Sequence, residues 1–102
     1  MEEALREFLL SPAARLDIHD IWDYIAADDI EAADRVRDEI YEAILRVIMM
    51  PMIGHLREDL ADDETLRFWS VRHYLIIYRP DSQPLEIVRI LSGRRDLKYL
   101  LQ

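Results

Sequence analysis

From Ala14 onward the apolar positions Ile18, Ile21, Trp22 and Ile25 recur at i, i+3, i+4 and i+7, with Asp17, Asp20 and Asp23 set between them. That spacing predicts an amphipathic helix of about four turns. Ser11-Pro12 suits its N-cap and first helical position. The short apolar-tending run Arg6 to Leu10 before it reads as a strand. Asp28 and Asp29 offer a second N-cap, after which Ala33, Val36, Ile40, Ala43, Ile44 and Val47 trace another helical stripe that stops before Pro51. A break of about four residues between two helices favours antiparallel neighbours, so the pair is expected to form a helical hairpin.

Beyond Thr65 the period changes. Leu66 to Val71, His73 to Arg79 and Leu85 to Leu91 are rich in β-branched and aromatic residues and predict three strands. Pro80-Asp81-Ser82-Gln83-Pro84 supplies turn residues that make the last two a hairpin. Tyr74 to Tyr78 is apolar enough for a central strand, while Arg67, Arg72, Arg79 and Arg89 remain for a solvent-facing or site-facing side. Pro51 to Thr65 has no clean period and reads as an extended connection across the domain, and Arg94 to Leu101 as an optional terminal helix. The fold class is α+β, in the order β-α-α-β-β-β(-α), with the hairpin's apolar stripe covering one face of a small, mostly antiparallel sheet.

Length and composition narrow the chemistry. A chain of 102 residues is expected to make a single domain with one sufficient core. It has no cysteine, which excludes thiol nucleophiles, disulfides and cysteine zinc sites. The net charge of −8 is uneven: residues 1–49 hold 5 basic and 13 acidic side chains, and residues 50–102 hold 8 of each. Nucleic-acid binding is therefore disfavoured, although the neutral half can still present a local arginine cluster. No apolar run approaches a membrane span. The acidic start Met-Glu-Glu-Ala-Leu-Arg-Glu is unlike a secretory signal, and a cytoplasmic protein is expected.

None of the three histidines brings an evident catalytic partner. His19 and Asp23 stand at i, i+4 and could share a divalent ion, but a solvated acidic helix face explains them as well, since a metal site needs three or more converging ligands. His55 and His73 read as structural or surface residues. Ser11, Ser70, Ser82 and Ser92 lack the signature of an activated nucleophile. Gly93-Arg94-Arg95 is the sharpest local feature: two arginines at the end of a strand can hold a carboxylate or phosphate, or close an ion pair with neighbouring acids. Met49, Met50 and Met52 around Pro51 read as adaptable core, with a partner-binding groove as the alternative. Trp22 reads as part of the buried helical stripe.

Phe8-Leu9-Leu10-Ser11-Pro12-Ala13-Ala14, Asp20-Ile21-Trp22-Asp23-Tyr24-Ile25, Ala32-Ala33-Asp34-Arg35, Pro51-Met52-Ile53-Gly54, Leu66-Arg67, Tyr74-Leu75-Ile76-Ile77-Tyr78-Arg79 and Gly93-Arg94-Arg95-Asp96-Leu97 occur in an order that resembles the ParE branch of the RelE/ParE toxin superfamily. These are the toxin halves of bacterial type II toxin-antitoxin modules. The resemblance spans almost the whole chain and implies the same element order as the periodicity.

The superfamily contains mRNA-cleaving RelE-like members and ParE-like members that inhibit DNA gyrase, so the shared fold does not choose between them. RelE-like ribonucleases carry an arginine after the tyrosine opening this strand, where the chain has Leu75 after Tyr74. They carry a tyrosine about six residues beyond the C-terminal arginine, where it has Leu101 after Arg95. Leucine can neither orient a 2′-hydroxyl nor stabilise charge on a phosphate.

The resemblance thus implies a non-enzymatic gyrase inhibitor without cofactor or metal, neutralised as a hetero-oligomer by a ParD-like antitoxin. Target binding is expected at Arg94, Arg95 and Lys98 with Arg57 and Arg67, and antitoxin binding at Trp22, Tyr41, Met49, Met50 and Met52. The alternatives are a ribosome-dependent ribonuclease using Arg67, His73 and Arg95, or an inactive toxin that retains only antitoxin binding.

Overall fold

The computed structural model describes residues 8–57, 59, 60 and 62–92. Strand β1 (Phe8–Leu10) leads into helices α1 (Pro12–Ala26) and α2 (Ile30–Met49), a 3-10 turn (Pro51–Ile53), and strands β2 (Arg67–Val71), β3 (Tyr74–Arg79) and β4 (Leu85–Ser92). The sheet order is β1-β4-β3-β2. β1 pairs with β4 in parallel, and the other two pairings are antiparallel. The helical hairpin therefore carries the chain from one sheet edge to the other, and the expected central strand β3 lies inside the sheet. The expected terminal helix, together with Gly93, Arg94, Arg95, Lys98 and Leu101, lies outside the described residues.

Local chemistry sets the helix ends. The Ser11 hydroxyl accepts from the Ala14 N–H at 2.9 Å with Pro12 as the first helical residue. The Asp29 carboxylate accepts from the Ala32 N–H at 3.1 Å. Of the two candidate caps Asp29 is the one used, which shortens the link to Ala27–Asp29. Glu31 in the first turn of α2 and Arg46 in its last both complement the helix dipole.

Ala14, Ile18, Val36, Ile40, Ala43, Ile44 and Val47 from the hairpin meet Ile76, Tyr78, Leu85, Ile87 and Ile90 from the sheet. Each fully buried isoleucine here contributes roughly 1.5–3 kcal/mol. The opposite face is apolar too, with Phe68, Leu75, Ile77 and Leu91 packed against Leu60, Leu66 and Val88. The expected open connection is thus partly structured. It begins as a 3-10 turn, pairs His55 with Phe68 in an antiparallel bridge, and buries Leu60 against that second face. Its hydrophobic residues are too sparse to show a period, which is why the sequence pattern does not reveal it.

Two strands begin one residue later than expected, because Leu66 precedes the ladder and His73 belongs to a tight Arg72-His73 turn between paired Val71 and Tyr74. Arg72 takes φ 53°, as the first central position of such hairpin turns requires. Its guanidinium donates to both carboxylate oxygens of Glu39, tying the turn to α2. That hydrogen bond holds the Glu39 carboxyl below its usual range.

Alternation along β4 breaks at a bulge, where Tyr78 opposes Ile87 but Ile77 opposes Arg89. The extra residue, Val88, lets Leu85, Ile87 and Ile90 all reach the helices while Val88 and Leu91 reach the other core. Ser11 secures it by donating its hydroxyl to the Val88 carbonyl at 2.6 Å and its N–H to the Ile87 carbonyl at 3.0 Å. Asp17 secures the other side, accepting from Arg89 Nε and Nη2 at 2.8 and 2.9 Å and from the Ile90 N–H at 2.9 Å.

Candidate partner-binding surface

An open groove of about 230 Å³ runs between the two helices on the hairpin, lined by Arg15, Ile18, His19, Trp22, Asp23, Arg37 and Tyr41. Its volume falls below the roughly 300–1,000 Å³ of small-molecule sites and suits one or two side chains of a docking segment. Trp22 is half-buried here instead of lying in the core. The indole N–H needs an acceptor when an aromatic is covered, and it finds Asp34 Oδ1 across the hairpin at 2.9 Å. Arg37 also reaches Asp34, at 3.4 Å. Twelve residues separate Trp22 from Asp34, so no single-helix period could have paired them.

Helical geometry extends the groove. Tyr41, Leu45 and Met49 follow one another at i, i+4 and i+8 on α2, one above the next on the same side. This stripe leads from the groove to the helix end, where Met49, Met50 and Met52 are 66%, 52% and 60% exposed. They are not core residues: Val47, Ile48 and Ile53 from the same stretch pack in or against the core, and the three methionines between and beside them stay exposed. The structure thus brings Trp22 and Tyr41 together in one groove and places Met49 at the end of α2, with Met50 and Met52 just beyond it.

A buried clamp holds the methionine corner in place. Tyr78, fully buried on β3, donates its hydroxyl to the Pro51 carbonyl at 2.7 Å and accepts from the Gly54 N–H at 2.9 Å. A Cβ on Gly54 would stand 2.5 Å from that hydroxyl, so the close approach requires glycine. Burial pushes the Tyr78 hydroxyl above its usual value, against the smaller lowering effects of the Gly54 hydrogen bond and of Arg67. The signal in the sequence was Gly54 alone, since nothing there links it to a tyrosine on a distant strand.

The predicted cations are less available than expected. Arg57 makes a bidentate pair with Asp59 at 3.0 and 2.9 Å, and that hydrogen bonding holds the Asp59 carboxyl low. Arg67 donates to the Gly54 carbonyl at 3.3 Å. Arg79 lies against Asp63 and Glu86 at 3.6 and 3.3 Å. His55 stacks on Trp69 with ring centroids 6.4 Å apart, and His73 is exposed in its turn. His19, Asp20 and Asp23 lie close together but are all exposed, and solvated acids on one helix face need no ion.

A family model described as the ParE toxin of the type II toxin-antitoxin system, parDE, matches residues 8–97. No curated protein matches the chain. Among solved structures, the chromosomal ParDE toxin-antitoxin system from P. aeruginosa is similar with a TM-score of 0.69 at 17% sequence identity, covering 87% of this chain and 97% of that one. At that identity the likeness is one of fold. The family match spans both helices and all four strands, including every residue of the groove and of the methionine corner. The chain belongs to the ParE toxin family of type II toxin-antitoxin systems.

Proposed function

We propose that this toxin acts by binding DNA gyrase and blocking its supercoiling cycle, without turnover, and that a ParD-like antitoxin silences it by lying along the helical hairpin. The observation that carries the first half, beside the family, is Leu75. Where a RelE-like nuclease would present an arginine, this side chain is buried with Phe68, Ile77 and Leu91 and offers a phosphate nothing. Three arginines of the sheet and its β2–β3 turn point the same way. Arg72, Arg79 and Arg89 each face a carboxylate, which leaves them poorly suited to hold a scissile phosphate. We assign target contact to Arg94, Arg95 and Lys98, which lie outside the described residues, with Arg67 and the Asp59-paired Arg57 as further contributors.

The second half rests on the groove and the stripe leading from it. An apolar segment that orders on binding could place one side chain beside Trp22 and Tyr41 and continue over Leu45 to Met49, Met50 and Met52. The acidic residues 1–49 favour Lys or Arg on that segment. Action on gyrase places the hetero-oligomer in the cytoplasm, and among the described residues no helix is long and apolar enough to cross a membrane.

The test is a supercoiling assay with purified host gyrase and plasmid. The chain is expected to leave the plasmid relaxed, and the cognate antitoxin to restore supercoiling. Unimpaired supercoiling at saturating toxin rejects the target. New codon-linked cuts in mRNA after induction would transfer the activity to the nuclease class.

A further inference from the structure

The methionine corner carries a reactivity that docking alone does not use. Its three methionines are each more than half exposed. The chain contains no cysteine to consume an oxidant first, and its one other methionine is Met1. The backbone below the corner is tied from several sides. The Met50 N–H donates to the Arg46 carbonyl, the Ile53 N–H donates to the Met50 carbonyl, and Tyr78 grips Pro51 and Gly54. None of these bonds involves a methionine side chain, so a change of polarity at the sulfurs leaves the corner's frame intact.

We propose that Met49, Met50 and Met52 form an oxidation-sensitive site, at which hydrogen peroxide converts exposed thioethers to sulfoxides while the domain stays folded, weakening apolar docking there. In each step a sulfur lone pair attacks one peroxide oxygen, the S–O bond forms and the O–O bond breaks. The departing hydroxide takes up the proton released from the transferred oxygen and leaves as water. Sulfur is oxidised by two electrons and the peroxide is reduced. The product is a polar, chiral group in place of a soft apolar one. Covering its S=O with an apolar partner strips it of water without a replacement donor. The docking part of this inference rests on the antitoxin reading above, while the oxidation part does not.

The experiment treats the full chain, free and in complex with its cognate antitoxin, with hydrogen peroxide. Peptide mass mapping then locates added oxygen, about 16 Da per site, and resolves Met1 from the corner. The free chain is expected to gain oxygen at Met49, Met50 and Met52, to keep its melting temperature within about 2 °C, and to lose about tenfold in antitoxin affinity. The complex is expected to gain less oxygen at the corner. A triple Met→Leu variant, measured against its own untreated sample, should lose no affinity on treatment.

Corner methionines that stay unmodified, or whose modification unfolds the chain, overturn the proposal. So does a folded, triply oxidised chain that binds as before. A triple Met→Gln variant separates the two readings. If glutamine weakens binding but peroxide does not, the oxidation switch alone fails. If neither weakens it, the antitoxin footprint at this corner fails as well.

Discussion

Tyr78 shows how much one side chain can decide. Its hydroxyl satisfies a carbonyl and an N–H on a segment more than twenty residues away in sequence, in a place without room for a Cβ on Gly54. Tyr78→Phe leaves both backbone groups without their partner and is expected to cost about 1–3 kcal/mol in urea denaturation. Gly54→Ala must displace the same buried ring, and a comparable loss is expected. Burial raises the Tyr78 pKa in the folded state above the ordinary 10.0. The resulting stability is fully present below that value and is lost as pH rises through the higher folded one. The alkaline decline in wild-type stability should therefore be smaller in Tyr78→Phe, measured as unfolding midpoint against pH. Glu39 gives the opposite sign: its carboxyl is held low by Arg72, so Arg72→Gln should move its titration, followed by NMR, up towards 4.5.

At the scale of elements, the bulge in β4 and the start of α1 are one construction. Ser11 caps the helix with the same hydroxyl that donates to the Val88 carbonyl, so the cap residue also fixes where the strand changes face. Ser11→Ala is expected to cost about 2–3 kcal/mol, more than an ordinary cap, because a carbonyl loses its donor together with the N–H losing its acceptor. Chemical denaturation measures the total. A double-mutant cycle with Asp17→Ala, which removes the acceptor of Arg89 and of the Ile90 N–H, measures whether the two fasteners act as a unit.

For the whole molecule, charge and apolar exposure are distributed unevenly, and the proposed antitoxin contact follows that asymmetry. Residues 1–49 are strongly acidic and bear the groove and Met49, while Met50 and Met52 open the neutral half. Trp22→Ala and Tyr41→Ala are each expected to weaken antitoxin binding at least about tenfold in calorimetry, the size typical of a central aromatic anchor. His73→Ala, exposed in the β2–β3 turn and not part of the groove lining, should leave it unchanged within about twofold. Affinity should fall as salt rises, since opposite charges contribute to the encounter. An interface with no salt dependence would show that the acidic half faces elsewhere.

Periodicity carried both helix stripes, because burial of a repeating face leaves its period in the chain, while turn residues gave the hairpin from β3 to β4 and a continuous apolar run gave the interior position of β3. Trp22 and Tyr41, expected at an antitoxin contact, both line the groove, but the stripe assigns Trp22 to the core, since a stripe cannot tell its centre from its margin. The core reading of the methionines fails for a related reason: apolar character near a helix end does not say which side chains of the stretch face the core. Contacts between distant segments left no pattern to read. The Tyr78 clamp, the Trp22–Asp34 bond, the Asp17 hold on the bulge and the second core under Leu60 each join single residues from different elements, and only three-dimensional proximity makes them partners.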